Sequence, residues 1–200
     1  RMIKIAEDLG VKFHYGNPVK KILIENKLAT GMEMTDGSTV HSDIVIANAD
    51  LPYVYSKLLP PSLRSKWINR HEFTCSALVF HWGLSKRYEQ LSHHNVFLVD
   101  DYKNALETIF KKNGLTDKPC FYIHAPVKTD PAAAPEGEDT LSVVIPVPNL
   151  KQAKNIDWQE LKKEAKSAVL NRLKRENMSD LEENIKFEIC YLPDTWESHV

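Results

Sequence analysis

Apolar residues at Met2, Ile3, Ile5, Ala6 and Leu9 recur at helical spacing and stop at Gly10, predicting a short helix with a glycine cap. Val11, Phe13 and Tyr15 then alternate with Lys12 and His14, the period of a strand, as far as Gly16-Asn17. From Val19 to Asp50 the pattern is that of a three-stranded meander returning to one buried strand. Its first strand carries Val19, Ile22, Leu23 and Ile24 and its second Leu28, Met32 and Met34, with tight turns at Asn26-Lys27 and Asp36-Gly37. Pro18 lacks a backbone donor, so it suits an edge or opening position rather than a central strand. Ile44-Val45-Ile46-Ala47 does not alternate, which predicts a strand covered on both faces, with Asn48-Ala49-Asp50 at its carboxyl end. Open α/β sheets hold ligands at that end of their strands, so this part of the chain reads as a cofactor domain.

Beyond Asp50, Pro52 and Pro60-Pro61 punctuate a short helical pattern through Tyr53, Val54, Leu58 and Leu59, and another short helix is expected from Leu63 to Trp67. Strands follow at Thr74 to Trp82, ended by Gly83, and at Val96 to Val99. Asp101, Tyr102, Ala105, Leu106, Ile109 and Phe110 return at helical spacing, with Gly114 as the stop. Phe121, Ile123 and Ala125 alternate in a short strand, TDPAAAPEGED reads as a surface loop, and Leu141 to Val147 is a strong strand stopped by Pro146 and Pro148. Asp157 and Glu160 have the spacing of a capping box before a helix whose apolar face carries Trp158, Leu161, Ala165, Ala168, Val169 and Leu173. Ile185, Phe187 and Ile189 give a last strand, so the fold class is α/β in the mixed α+β sense.

A formal charge of -1 over 200 residues leaves no general cationic field for gathering nucleic acid. Cys75, Cys120 and Cys190 are odd in number and far apart, which fits buried thiols rather than a disulfide framework or a compact zinc site. No apolar run approaches the roughly 20 residues that span a bilayer. The chain opens on Arg1 and closes on Val200 after a polar segment, so an internal fragment of a longer protein is expected.

Two stretches carry candidate chemistry. The turn from Gly16 to Lys20, with Asn48 to Asp50, offers the close backbone approach and strand-end crevice of a dinucleotide site, but an ordinary meander and structural turn explain the same residues. The Gly-x-Gly-x-x-Gly phosphate turn and its following helix are absent, and Asp50 reads either as an acceptor for a ribose hydroxyl or as the cap of a helix starting near Leu51-Pro52. The second stretch is Phe80-His81-Trp82 together with His93-His94. Imidazole transfers protons and ligates zinc, yet adjacent histidines in an extended segment point apart, and no metal is expected. Phe80 and Trp82 read as core or as the wall of an apolar pocket. Asp100-Asp101 is explained by the following helix, and Tyr122, Tyr191 and Trp196 by the border between core and surface. No serine elbow, Walker loop or Cys-x-x-Cys pair is present.

The succession GVKFHYGNPVKKILIENKLATGMEMTDGSTVHSDIVIANADLPYVYSKLLP, followed by CSALVFHWGLSKRYEQLSHHNVFLVDDYKNALETIFKK, CFYIHAPVKTDPAAAPEGEDTLSVVIPV and CYLPDTW, resembles the phytoene desaturase family, closest to its fungal branch, within the FAD-dependent amine-oxidase-like enzymes. The resemblance implies a partial FAD-binding domain of glutathione-reductase-like topology over residues 1–55 and part of a mixed-sheet substrate domain over 56–200. It implies stepwise carbon-carbon dehydrogenation of phytoene toward lycopene with FAD as electron acceptor. Pro18 and Val19 would pack against the adenine side of FAD, Asn48, Ala49 and Asp50 would lie near the cofactor, and Phe80, His81 and Trp82 would border the substrate space. No residue is assigned as catalytic base. The implied partners are a long polyene and a membrane surface, met peripherally or through an anchor outside these residues on the cytoplasmic side, with homo-oligomerisation open. The alternative is a non-catalytic hydrophobic-ligand-binding or protein-interaction module derived from the same fold.

Overall fold

The computed structural model describes residues 1–63 and 73–199. The chain divides into two compact units, Arg1–Glu72 and Phe73–Val200, each with its own antiparallel sheet. The division expected after residue 55 falls within a helical segment of the first unit, and the helix expected at Leu63 to Trp67 lies, past Leu63, outside the described residues.

In the first unit, helix α1 (Met2–Asp8) ends where Gly10 takes a φ of 88°, and the Gly10 and Val11 amides donate to the Glu7 and Ala6 carbonyls, both at 2.9 Å. Its apolar residues Met2, Ile3 and Ile5 are exposed, as is Leu9 at its C-cap. The strand expected at residues 11–15 does not form. The segment keeps the alternation, and Phe13 and Tyr15 stack their rings 5.8 Å apart, but no strand among the described residues pairs with it.

The meander is β1 (Val19–Glu25), β2 (Leu28–Met34) and β3 (Thr39–His41), in that spatial order. Asn26 and Lys27 both take positive φ, 50° and 68°, the geometry whose twist matches a two-residue hairpin. At the second turn the Asp36 carboxylate accepts from the Ser38 amide at 2.8 Å and from Asn17 Nδ2 at 2.7 Å, while Gly37 supplies a φ of 87°. Pro18 opens an edge strand, and its carbonyl accepts from the Thr35 amide at 2.9 Å.

Ile22, Val54 and Leu58 form the small core of this unit, with Val19, Ile24, Ala29, Val45 and Leu59 packed on it. The doubly covered strand expected at Ile44 to Ala47 is absent: Val45 turns inward, while Ile44 and Ile46 are 77% and 87% exposed. A strand needs a paired neighbour, and this sheet ends at the three residues of β3. Helix α2 (Leu51–Tyr53) follows and widens into a π-turn over Val54–Leu58; Asp50 stands at its N-cap without a side-chain capping bond.

The second unit is built on five antiparallel strands, β4 (Ser76–Leu84), β5 (His94–Phe97), β6 (Phe121–His124), β7 (Asp139–Val147) and β8 (Ile185–Tyr191), in the order β5-β6-β7-β4-β8. Gly83, expected to end β4, lies inside it, because the Phe187 ring of β8 occupies the space where a Cβ would stand. Pro146, expected to stop β7, also lies within the strand; β6 pairs only as far as Val144, so the proline sits where β7 has one neighbour.

One face of this sheet is fully packed. Leu78, Phe80, Trp82 and Leu84 join Ile123, Leu141, Val143 and Ile145 against Leu161, Ala165, Val169 and Leu173 of helix α4 (Trp158–Lys174). Asp157 caps α4 by accepting from the Gln159 and Glu160 amides at 3.0 and 3.1 Å. On the rim of this layer Glu188 accepts from the Trp82 indole N–H at 2.9 Å and pairs with Lys166 at 2.8 Å and Lys162 at 3.3 Å.

Burial alone would raise the Glu188 pKa, but Lys166, the Trp82 N–H and Lys162 hold it below its ordinary 4.5. A carboxylate held low in the folded state contributes stability above its unfolded pKa and loses that contribution as the pH falls through the folded one. The urea midpoint is therefore expected to fall as the pH drops below 4.5, and to fall less steeply in Glu188→Gln. Equal slopes in the two proteins would contradict this.

Candidate functional site

Strand alternation places on the other face of the same sheet everything that α4 does not cover. Pairing register aligns these residues in transverse rows. His94 on β5 opposes His124 on β6, His124 opposes Ser142 on β7, Ser142 opposes His81 on β4, and His81 opposes Ile189 on β8. One polar row thus crosses β5, β6, β7 and β4 and ends on the apolar Ile189 of β8. The adjacent row is Val96, Tyr122, Val144, Val79 and Tyr191, apolar or aromatic throughout. Along β6 and β7 the contrast is regular: Phe121, Ile123, Leu141 and Val143 are buried, while Tyr122, His124, Ser142 and Val144 are half-buried.

Helix α3 (Tyr102–Phe110) closes over one end of the apolar row. Asp101 starts it by accepting from the Asn104 amide at 3.2 Å, and Ala105 and Ile109 turn inward. A cavity of about 220 Å³ remains, lined by Val96, Leu98, Ala105, Ile109, Tyr122 and Val144 among others. Its lining is almost entirely carbon, the character of a site that selects by apolar shape.

The polar row is held by specific bonds. His81 Nδ1 lies 2.8 Å from Ser142 Oγ, and His94 Nδ1 lies 2.6 Å from the Tyr122 phenol oxygen. His124 Nε2 lies 2.9 Å from His93 Nε2, whose Nδ1 lies 2.6 Å from Thr129 Oγ1. Burial, then the neighbouring His93 and His94, hold the His124 imidazole below its usual range, so it is neutral at physiological pH. Chemically the face offers one neutral nitrogen base, His124, beside an apolar track. Burial pushes the Cys190 thiol up to about 11, which leaves it no thiolate character.

The sequence-level candidates separate. Phe80 and Trp82 have no accessible surface and belong to the packed face, whereas His81 belongs to the open one. His93 and His94 do not point apart: their rings are 4.3 Å apart, because His93 precedes β5 in a turn tied by Asn95 and Ser92 rather than in the pleat. His124, the third member, escaped the sequence reading because it joins through cross-strand pairing, 31 residues away in the chain.

Pro18, Val19, Asn48, Ala49 and Asp50 all lie in the first unit. Val19 and Val45 share its small core, which ties the start of β1 to the segment leading into Asn48. Asn48, Ala49 and Asp50 are exposed. The exposed Asn48 and Asp50 side chains offer hydrogen-bonding groups suited to the flank of a nucleotide cofactor. They do not fit its pyrophosphate, since none of the seven glycines stands in the spacing that wraps one.

No protein-family model matches the chain. The chain is 34% identical to a phytoene desaturase of Neurospora crassa over 98% of its own length and 35% of that protein. It is 36% identical to a zeta-carotene-forming phytoene desaturase of Myxococcus xanthus, over 96% of this chain and 37% of that one. A phytoene desaturase of Fusarium fujikuroi is 32% identical over 98% of the chain and 38% of its own length. The chain thus spans little more than a third of these relatives. Among solved structures, an oxidoreductase from Methanosarcina mazei superimposes with a TM-score of 0.54 at 19% identity, over 95% of this chain and 40% of that one, a likeness of fold.

Proposed function

Because the chain belongs to the phytoene desaturase family, we propose that it forms part of an FAD-dependent carotenoid desaturase and supplies the substrate-facing sheet together with one flank of the cofactor site. The observation that carries this reading is the cavity of about 220 Å³ opening onto the row Val96, Tyr122 and Val144. It is smaller than the roughly 300–1,000 Å³ of a typical small-molecule pocket. One end of a long, thin polyene fits such a space, with the rest of the molecule lying along the apolar row.

Flavin, when bound, supplies the oxidising power that accepts a hydride from carbon. The chain's own residues hold and orient. Val96, Leu98, Ala105, Ile109 and Val144 exclude water from the apolar ligand, at about 25 cal/mol per Å² buried before ordering costs. His81 sets the polar border of that track with Ser142, and Phe80 and Trp82 stiffen the sheet from behind. Pro18 and Val19 pack against the adenine side of the cofactor, and Asn48, Ala49 and Asp50 lie near it. Such a substrate is exchanged with a bilayer, so peripheral membrane association at the cytoplasmic side belongs to the reading. No helix among the described residues is long and apolar enough to cross a membrane.

Titration of the purified chain with a fluorescent conjugated tetraene fatty acid is expected to saturate. Leu98 lines the cavity yet is 60% exposed, so Leu98→Asp leaves the fold intact. That variant is expected to weaken binding about tenfold, the equivalent of roughly 1.4 kcal/mol of lost apolar contact. Unchanged affinity in Leu98→Asp and in Val96→Asp would reject the cavity as the site.

A further inference from the structure

His93, His94 and His124 present three imidazoles whose donor atoms all lie within 4.8 Å of one another. We propose that they form a binding site for one divalent transition-metal ion of borderline softness, with Zn²⁺ as the representative ion. Nothing in the desaturase reading requires such a site, and the inference does not rest on it.

The arrangement has the parts of a built metal site. Imidazole nitrogen is the donor such ions favour, and a metal-bound histidine holds its free ring N–H on an oxygen that fixes its tautomer. The Thr129 hydroxyl donates to the Pro126 carbonyl at 3.4 Å, so its lone pairs accept from His93 Nδ1–H at 2.6 Å. The Tyr122 oxygen lies 2.6 Å from His94 Nδ1 and accepts from it in the tautomer that carries the proton there. With the protons there, each Nε2 carries its ring's lone pair; that of His93 accepts from His124 Nε2–H, whose proton passes to Nδ1 when a metal binds. His124 Nε2 already stands 2.9 Å from His93 Nε2. Two nitrogens on one tetrahedral zinc, each at about 2.0–2.1 Å from the ion, are roughly 3.3–3.4 Å apart. That pair therefore opens by a few tenths of an ångström, and the exposed His94 ring swings inward to complete the set. Three imidazoles leave a fourth position for water on the open sheet face.

The test uses the tag-free chain, stripped with EDTA and titrated with Co²⁺, whose visible absorption reports a low-coordinate nitrogen environment. The expected result is one saturable equivalent, displaced by Zn²⁺, lost in His94→Ala and in His124→Ala, and unchanged in His14→Ala. His94 is exposed, so its variant keeps the fold if the half-buried His124 position does not tolerate alanine. Tyr122→Phe is expected to weaken binding about 10- to 100-fold through the lost support of His94. No saturable spectrum would overturn the proposal, showing a hydrogen-bonded histidine triad only. Several weak sites indifferent to His94→Ala would overturn it equally, as adventitious surface binding.

Discussion

Replacing Trp82 with alanine is expected to destabilise the chain by about 3–5 kcal/mol, whereas replacing its neighbour His81 is expected to cost only about 1 kcal/mol. Trp82 has no accessible surface, its ring centroid lies 5.5 Å from that of Phe80, and its N–H donates to Glu188 at 2.9 Å. Alanine leaves a large void against α4 and removes one of the donors that hold the Glu188 charge. A typical domain has about 5–15 kcal/mol in total, so the variant stands near the threshold of folding. His81, half-buried on the other face, gives up a single bond to Ser142. Urea unfolding of both variants checks the contrast, and similar losses would mean that the two faces of β4 are not divided in this way.

The second large effect concerns the cofactor. Folded chain incubated with FAD and passed through gel filtration is expected to emerge without flavin absorbance. Tight dinucleotide binding depends on backbone amides and a helix N-terminus gathered around the pyrophosphate by a glycine-rich turn. The spacing of the seven glycines supplies no such turn, and the helix after Asn48-Ala49-Asp50 has only three α-helical residues before it widens. In the proposed arrangement what remains, from Pro18 and Val19 to Asp50, meets the cofactor on one side only. Stoichiometric flavin retention would contradict this division of the cofactor site.

Features encoded locally were legible in the sequence. Asp36-Gly37 forms a turn because glycine takes positive φ freely, Asn26 favours the turn at Asn26-Lys27 although Lys27 does not, and Asp157 caps α4 through amides two and three residues away. Features that depend on a neighbour were not. Val11 to Tyr15 and Ile44 to Ala47 have the composition of strands, but a strand exists only where another pairs with it, and neither segment has one among the described residues. The face of Phe80 and Trp82 was hidden because Val79, between Leu78 and Phe80, is also apolar, so the run in β4 reads as continuous. The candidate site was half legible. His81, His93 and His94 stood out as residues, but the polar row and the contribution of His124 arise from the register of four strands, which no local pattern encodes.

Hydrogen exchange of the chain, with and without the tetraene fatty acid, tests most directly whether the open sheet face is the ligand surface. Ligand is expected to slow exchange in α3 and in the segments around Val96 and Tyr122, which enclose the cavity. Protection confined to residues 2–15, where Met2, Ile3 and Leu9 also expose apolar surface, would contradict it and assign ligand binding to the first unit instead.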